Sequence, residues 1–131
     1  MAEITEKQVF EYFSEGKKLS GMDLTGLNLN RAVMSGADFS GCDLRGTNLR
    51  GANLSGCDLS HSKLSEANLR ETNLRESDLS GSDISDAHLM EARLFAANLC
   101  DTDLTGSNMS GAFMTGGVRL DRSILVGVNM R

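Results

Sequence analysis

The sequence predicts an all-β solenoid, a chain wound into a stack of short extended sides. Three observations carry this reading. From Leu24 to Met114 every fifth residue is apolar, 19 positions without a break. Two residues before each of them stands a small residue (Ala, Ser, Thr or Cys) in 17 of 19 cases, Met22 and Leu27 being the exceptions. One residue before, Asp or Asn occurs in 14 of 19 cases. On an α-helix a step of five rotates by roughly 140°, which would spiral the leucines around the axis. On a flat strand an odd period would send successive leucines to opposite faces. A unit of five works when the chain turns a corner once per unit. The small residue and the apolar residue, two apart, then both point inward, and their neighbours point out.

The chain begins differently. Residues 4–16 read as a helix, with Thr5 as N-cap, Gln8 closing a capping box and Ile4 facing Val9 as a hydrophobic staple. Val9, Phe10 and Phe13, with Tyr12, form its apolar stripe. Gly16 is its C-terminal stop. Residues 1–19 are therefore assigned as a capping segment over the open first coil, around Met22 and Leu27. A helix that binds a partner is the competing reading.

Residues 20–131 are assigned to the solenoid, which with its cap makes one domain. The consensus is small–Asp/Asn–Leu–Ser/Arg–Gly, as in Ala52-Asn53-Leu54-Ser55-Gly56, with Gly supplying backbone freedom near the corner. Each buried Leu contributes roughly 1.5–3 kcal/mol, and the small inward residues let coils stack closely. These units resemble the pentapeptide-repeat family over roughly residues 20–131. The resemblance implies a right-handed quadrilateral β-helix with four pentapeptides per coil. It implies about five and a half coils and a rod roughly 26 Å long at a ~4.8 Å strand spacing. The six-residue period of the left-handed β-helix, home of many acyltransferases, is absent.

After Met114 the period would place Arg119 and Asn129 inside. Leu120, Leu125 and Met130 instead occupy a frame shifted by one, and Gly116-Gly117 is the natural site for the extra residue, as a bulge. The sequence then stops at Arg131 without a capping helix. Leu120, Leu125 and Met130 thus form a candidate end-to-end homodimer contact, as the resemblance also implies for some members. A frayed monomer end is the alternative.

Composition narrows the function classes. The chain has 131 residues, 40% apolar and 24% charged, with a net charge of −5 and a pI of about 4.9. That excludes a basic nucleic-acid footprint as the default. No apolar run approaches membrane-spanning length, and the Met1–Gln8 start is charged, without a signal-peptide h-region. The expectation is a soluble, cytoplasmic protein with no membrane and no direct nucleic-acid contact. Three Cys at unpatterned spacings give no disulfide framework.

No catalytic or metal-binding constellation emerges, and no cofactor is expected. Residues 20 apart stack in one column, which puts His61 and His88 on different sides. His61 reads as solvated and His88 as a replacement for the Asn of its column, filled elsewhere by Asn48, Asn68 and Asn108. Cys42 and Cys57 read as core residues, and Cys100 as an outward thiol. Phosphate-loop and nucleophile patterns are absent, and a rod with a solid core has no natural deep pocket. The reading is a protein that is not an enzyme.

Three surface features depart from the consensus. The corner position, mostly Gly elsewhere, turns acidic at Glu66, Glu71, Glu76, Asp86, Glu91 and Asp101, with Glu66 stacking near Asp86 and Glu71 near Glu91. This is either a solubility belt or a functional acidic surface, blunted by nearby Arg45, Arg50, Arg70, Arg75 and Arg93. Lys63 stands between Asp43 and Asp83 in one column and reads as a cross-strand ion pair. Late in the rod, Met90, Phe95 and Phe113 make outward positions apolar beside Arg93. That is either a candidate partner surface or a site over which the shifted tail, including Val118, folds. The leading functional reading is a non-catalytic protein-interaction or scaffold module. The resemblance also implies an alternative, a DNA mimic that binds DNA gyrase or topoisomerase IV and modulates or protects it. An enzyme accessory or secreted effector domain is a third.

Overall fold

The computed structural model describes residues 2–131 as a right-handed quadrilateral β-helix entered through one helix, α1 (Glu6–Ser14). Eighteen parallel bridges run from Asp23↔Asp43 to Asn108↔Asn129. The first 15 pair residues 20 apart, so each coil is four pentapeptides. Each side bridges through a single residue, because a turn follows two residues later. Four faces result. Face 1 buries Leu24, Leu44, Leu64, Ile84 and Leu104, and face 2 buries Leu29, Leu49, Leu69, Leu89 and Met109. Face 3 buries Met34, Leu54, Leu74 and Leu94, and face 4 buries Leu19, Phe39, Leu59, Leu79 and Leu99. The core thus begins at Leu19, one unit earlier than the uninterrupted run that starts at Leu24.

Why five residues close a side follows from accounting for the backbone donors. Around Leu54, the Leu54 N–H donates to Asn73 on the next coil at 2.8 Å, and Asn53 donates to Ala32 on the previous one at 2.8 Å. The corner Gly56 donates to Arg75 at 2.8 Å, and Cys57 closes the turn onto the Leu54 carbonyl at 3.2 Å. The fifth donor, Ser55 N–H, goes to Asn53 Oδ1 at 3.2 Å. This Asx turn is the physical reason for Asp or Asn before most core residues. At Asp38 the same oxygen takes both the N–H and the hydroxyl of Ser40, at 3.0 and 2.6 Å. The Ser40 and Thr105 hydroxyls and N–H groups hold the Asp38 and Asp103 carboxyls below the usual range. Most of the inward hydroxyls are also satisfied, the buried Ser107 Oγ being left without a partner among the described residues. Thr47, Ser62, Ser77, Ser82 and Thr102 each donate to the carbonyl of the preceding core residue.

Every corner has a left-handed backbone, and ten of the residues with positive φ are not Gly. Glu66, Glu71, Glu76 and Glu91 sit at φ 58–59. A side chain in that region costs on the order of 1–2 kcal/mol, so Glu66→Gly is expected to raise stability by about 0.5–1 kcal/mol after Gly's larger unfolded-state entropy is subtracted. Urea denaturation checks this, and a loss of stability would show that the Glu66 side chain makes a compensating contact.

Helix α1 forms as its capping box dictates, with Gln8 N donating to Thr5 Oγ1 at 3.2 Å and Thr5 N to Gln8 Oε1 at 2.9 Å. It is shorter than the span 4–16, with Glu15 as C-cap and Gly16 turning away at φ 70. Val9 is fully buried, and Ile4, Tyr12 and Phe13 pack against the core. Phe10, read as part of this stripe, is exposed instead, because it lies about 100° around the helix from Val9. The segment also satisfies the first coil's open edge. Asp23 N donates to Glu3 Oε1 at 3.3 Å and Asn28 N to Glu6 Oε1 at 3.1 Å.

At the other end the register slips by one. Arg93↔Phe113 keeps the 20-residue spacing, whereas Asn98↔Arg119, Asp103↔Ile124 and Asn108↔Asn129 are 21 apart. The extra residue enters between Phe113 and Arg119, where Gly116 and Gly117 both have positive φ, at 71 and 86.

Candidate functional site

Within the unbroken run from Leu24 to Met114, five positions ahead of the apolar residue hold neither Asp nor Asn: Val33, Lys63, His88, Arg93 and Phe113. Each forfeits the Asx hydrogen bond, worth about 1 kcal/mol. Three of the five, Val33, Arg93 and Phe113, share face 3, and Arg93 bridges directly to Phe113. The sequence carried this signal. Its meaning emerges once the Asp and Asn side chains are seen to close the turns.

Late on face 3, Arg93 and Phe113 line a shallow pocket of about 300 Å³ with Arg75, Phe95 and Thr115. The Arg75 guanidinium carbon lies 4.9 Å from the centre of the Phe95 ring. Phe95 is 39% exposed and Phe113 59%. The structure therefore brings Arg93, Phe95 and Phe113 together and adds Arg75. It leaves out Met90, which is half-buried at the end of face 2. Both readings of Phe95 meet here. One side of its ring covers Gly116 at the bulge, where a Cβ would run into the ring, while the rest stays open. Val118 packs against the core.

The acidic corners are spread over four edges rather than gathered on one. Glu66 and Asp86 stand in the corner column after face 1, Glu71 and Glu91 after face 2, Glu76 after face 3 and Asp101 after face 4. Arg50 Nη2 reaches Glu71 Oε1 at 3.0 Å, and Arg70 Nε lies 3.5 Å from the same oxygen. Two bonds from Arg122, at 2.6 and 2.9 Å, hold the Asp101 carboxyl below its usual range. Lys63 does stack between Asp43 and Asp83, yet its ion pair does not form. Arg45 takes Asp43 at 2.6 Å, and Ser85 takes Asp83 through its N–H and hydroxyl at 3.0 and 2.6 Å.

The cysteines are free and buried. Burial pushes the Cys42 and Cys57 thiols up to about 11. Cys100, read as an outward thiol, is only 4% exposed, because the shifted tail places Asp121 against it and its Sγ–H donates to Asp121 Oδ2 at 3.3 Å. His61 is exposed at a corner on face 4's edge, and His88 stands in the Asn column of face 2. Among the described residues no group of three or more His, Cys, Asp or Glu is placed to hold a metal ion, and no helix is long and apolar enough to cross a membrane. On the last coil Leu120 is half-buried, while Leu125 and Met130 are exposed together with Ile124 and Val126.

The family model described as Pentapeptide repeats matches residues 18–51, 52–90 and 87–131, with 8 copies. Among solved structures the chain is similar to HetL, a pentapeptide repeat protein involved in heterocyst differentiation regulation from the cyanobacterium Nostoc sp. strain PCC 7120. The two are 31% identical with a TM-score of 0.82, covering 84% of this chain and 47% of HetL, so the chain spans about half of HetL's length. The pentapeptide repeat protein Rfr23 from the cyanobacterium Cyanothece 51142 is 24% identical, with a TM-score of 0.78 and 95% of each chain covered. No curated protein matches the chain.

Proposed function

The chain belongs to the pentapeptide-repeat family, and from that premise we propose that it is a protein-interaction module, acting without catalysis, whose partner binds late on face 3. Residues 1–19 serve as its cap and residues 20–131 as one solenoid domain. One observation carries the reading. Of the five positions between Asp23 and Phe113 that abandon the Asx turn, three lie on face 3, and two of these, Arg93 and Phe113, sit beside Phe95 and Arg75. A fold that gives up a structural hydrogen bond to expose an aromatic ring and a guanidinium has placed interface anchors there. HetL, a relative involved in heterocyst differentiation regulation, is consistent with a regulatory role rather than a chemical one. The acidic corners support a DNA mimic less well. They lie on four edges, and Glu71 and Asp101 are neutralised by arginines of their own chain.

The test is capture from nuclease-treated lysate of the source, read by mass spectrometry. Phe95→Ser with Phe113→Ser is expected to keep the fold and lose the partner. Phe113→Ser alone, at a ring that does not cover the bulge, keeps the experiment readable if the double variant loosens. Full capture by both variants would place the partner elsewhere on the rod.

A further inference from the structure

The ten outward positions of face 3 from Val33 to Thr115 hold Arg75, Arg93 and no carboxylate, on a chain whose net charge is −5. Five of the nine arginines contact a carboxylate of the chain: Arg45, Arg50, Arg70, Arg119 and Arg122. Among the described residues Arg75 and Arg93 do not, and both are exposed. Arg75 is instead laid against the Phe95 ring. A guanidinium stacked on a ring keeps its edge N–H groups free, in the fork geometry that matches a carboxylate. Phe95 and Phe113 supply the apolar walls of the same pocket, and Thr115 adds a hydroxyl at its rim.

Building on the reading of face 3 as the partner site, we propose that the partner presents an acidic side chain next to an apolar one. The carboxylate sits between Arg75 and Arg93, and the apolar group lies on Phe113. The pocket's size suits one or two side chains of an extended peptide segment. A nucleic acid fits less well, although arginine and aromatic rings also stack bases. Glu71 and Glu91 border face 3 on one edge and Glu76 on the other, and together with the net charge they repel a run of phosphates. A single carboxylate meets the two guanidinium groups locally and escapes most of that penalty.

The experiment titrates the full chain with two capped hexapeptides and an oligonucleotide of eight thymidylates. One peptide is acetyl-Gly-Asp-Leu-Phe-Asp-Gly-amide, and the other carries Asn in place of both Asp. Binding is read from the arginine Nε–Hε and phenylalanine ring signals by NMR. The Asp peptide is expected to bind at least tenfold tighter than the Asn peptide at low salt. In the exposed double variant Arg75→Gln, Arg93→Gln that preference should fall close to one, with the Asn peptide unchanged. Equal binding of the two peptides, an Asp preference that survives the double variant, or tighter binding of the oligonucleotide would overturn the proposal. Capture of the cellular partner separates this failure from failure of the site itself. Loss with Phe113→Ser but not with the arginine variant would keep face 3 as the site and reject the carboxylate. Retention in both would reject face 3.

Discussion

Leu74→Ala is expected to lower the unfolding free energy by about 2–5 kcal/mol, the range for a large-to-small change in a core that cannot collapse around the gap. Leu74 is fully buried in the middle of the face 3 column, between Leu54 and Leu94. Its backbone is tied to both neighbouring coils, donating to Arg93 at 2.8 Å while Asn73 donates back to Ala52 at 2.9 Å. The coils are thus held at their spacing, and neither can settle into the space a leucine leaves. The same change at Leu125, equivalent in the repeat but 40% exposed on the last coil, should cost under about 1 kcal/mol, since little apolar area is returned to water. Urea unfolding of the two variants measures the contrast. Equal losses would mean that the last coil is buried in solution, as an end-to-end assembly through Leu120, Leu125 and Met130 would require.

The fold was legible because its period is incompatible with both a straight helix and a flat strand, so a corner per unit followed from the leucines alone. The bulge was legible too, since one extra residue moves Leu120, Leu125 and Met130 into the inward frame that Arg119 and Asn129 would otherwise fill. What the slip does to its neighbours was not legible. Cys100 looks outward by its place in the repeat. Only the 21-residue spacing of the last coil sets Asp121 beside its thiol and covers it. Lys63 shows the same limit. Column position puts it between two aspartates, but which donor an aspartate takes depends on reach, and Arg45 and Ser85, two residues along the same side, arrive first. The candidate surface was half legible. Arg93, Phe95 and Phe113 follow from counting positions, whereas Arg75 joins them through a cation–ring contact between coils, and Met90 drops out because it stands at the end of face 2, before the corner at Glu91 that leads onto face 3.

Restoring the consensus on face 3 should strengthen the fold and abolish its binding in one step. In the triple variant Val33→Asn, Arg93→Asn, Phe113→Asn, each new amide oxygen would accept the N–H two residues on, from Ser35, Phe95 and Thr115. Fifteen Asx turns of this kind already exist elsewhere in the chain, from Asp23 to Asn129. At about 1 kcal/mol per bond the gain is about 3 kcal/mol, which for a chain of this size raises Tm by on the order of 10 °C. The column would also continue the amide contact already formed by Asn73 Nδ2 with Asn53 Oδ1 at 3.4 Å. Val33 is 69% exposed, so little packing is lost there. Arg93 and Phe113 take the proposed partner site with them, so a stabler protein that no longer captures its partner is the expected result. A drop in Tm would mean that these three side chains support the fold themselves. A gain in Tm with binding intact would free face 3 of any role in recognition, and the missing Asx turns would then need another explanation. The two readouts move in opposite directions only if stability was given up at these positions for contact with another molecule.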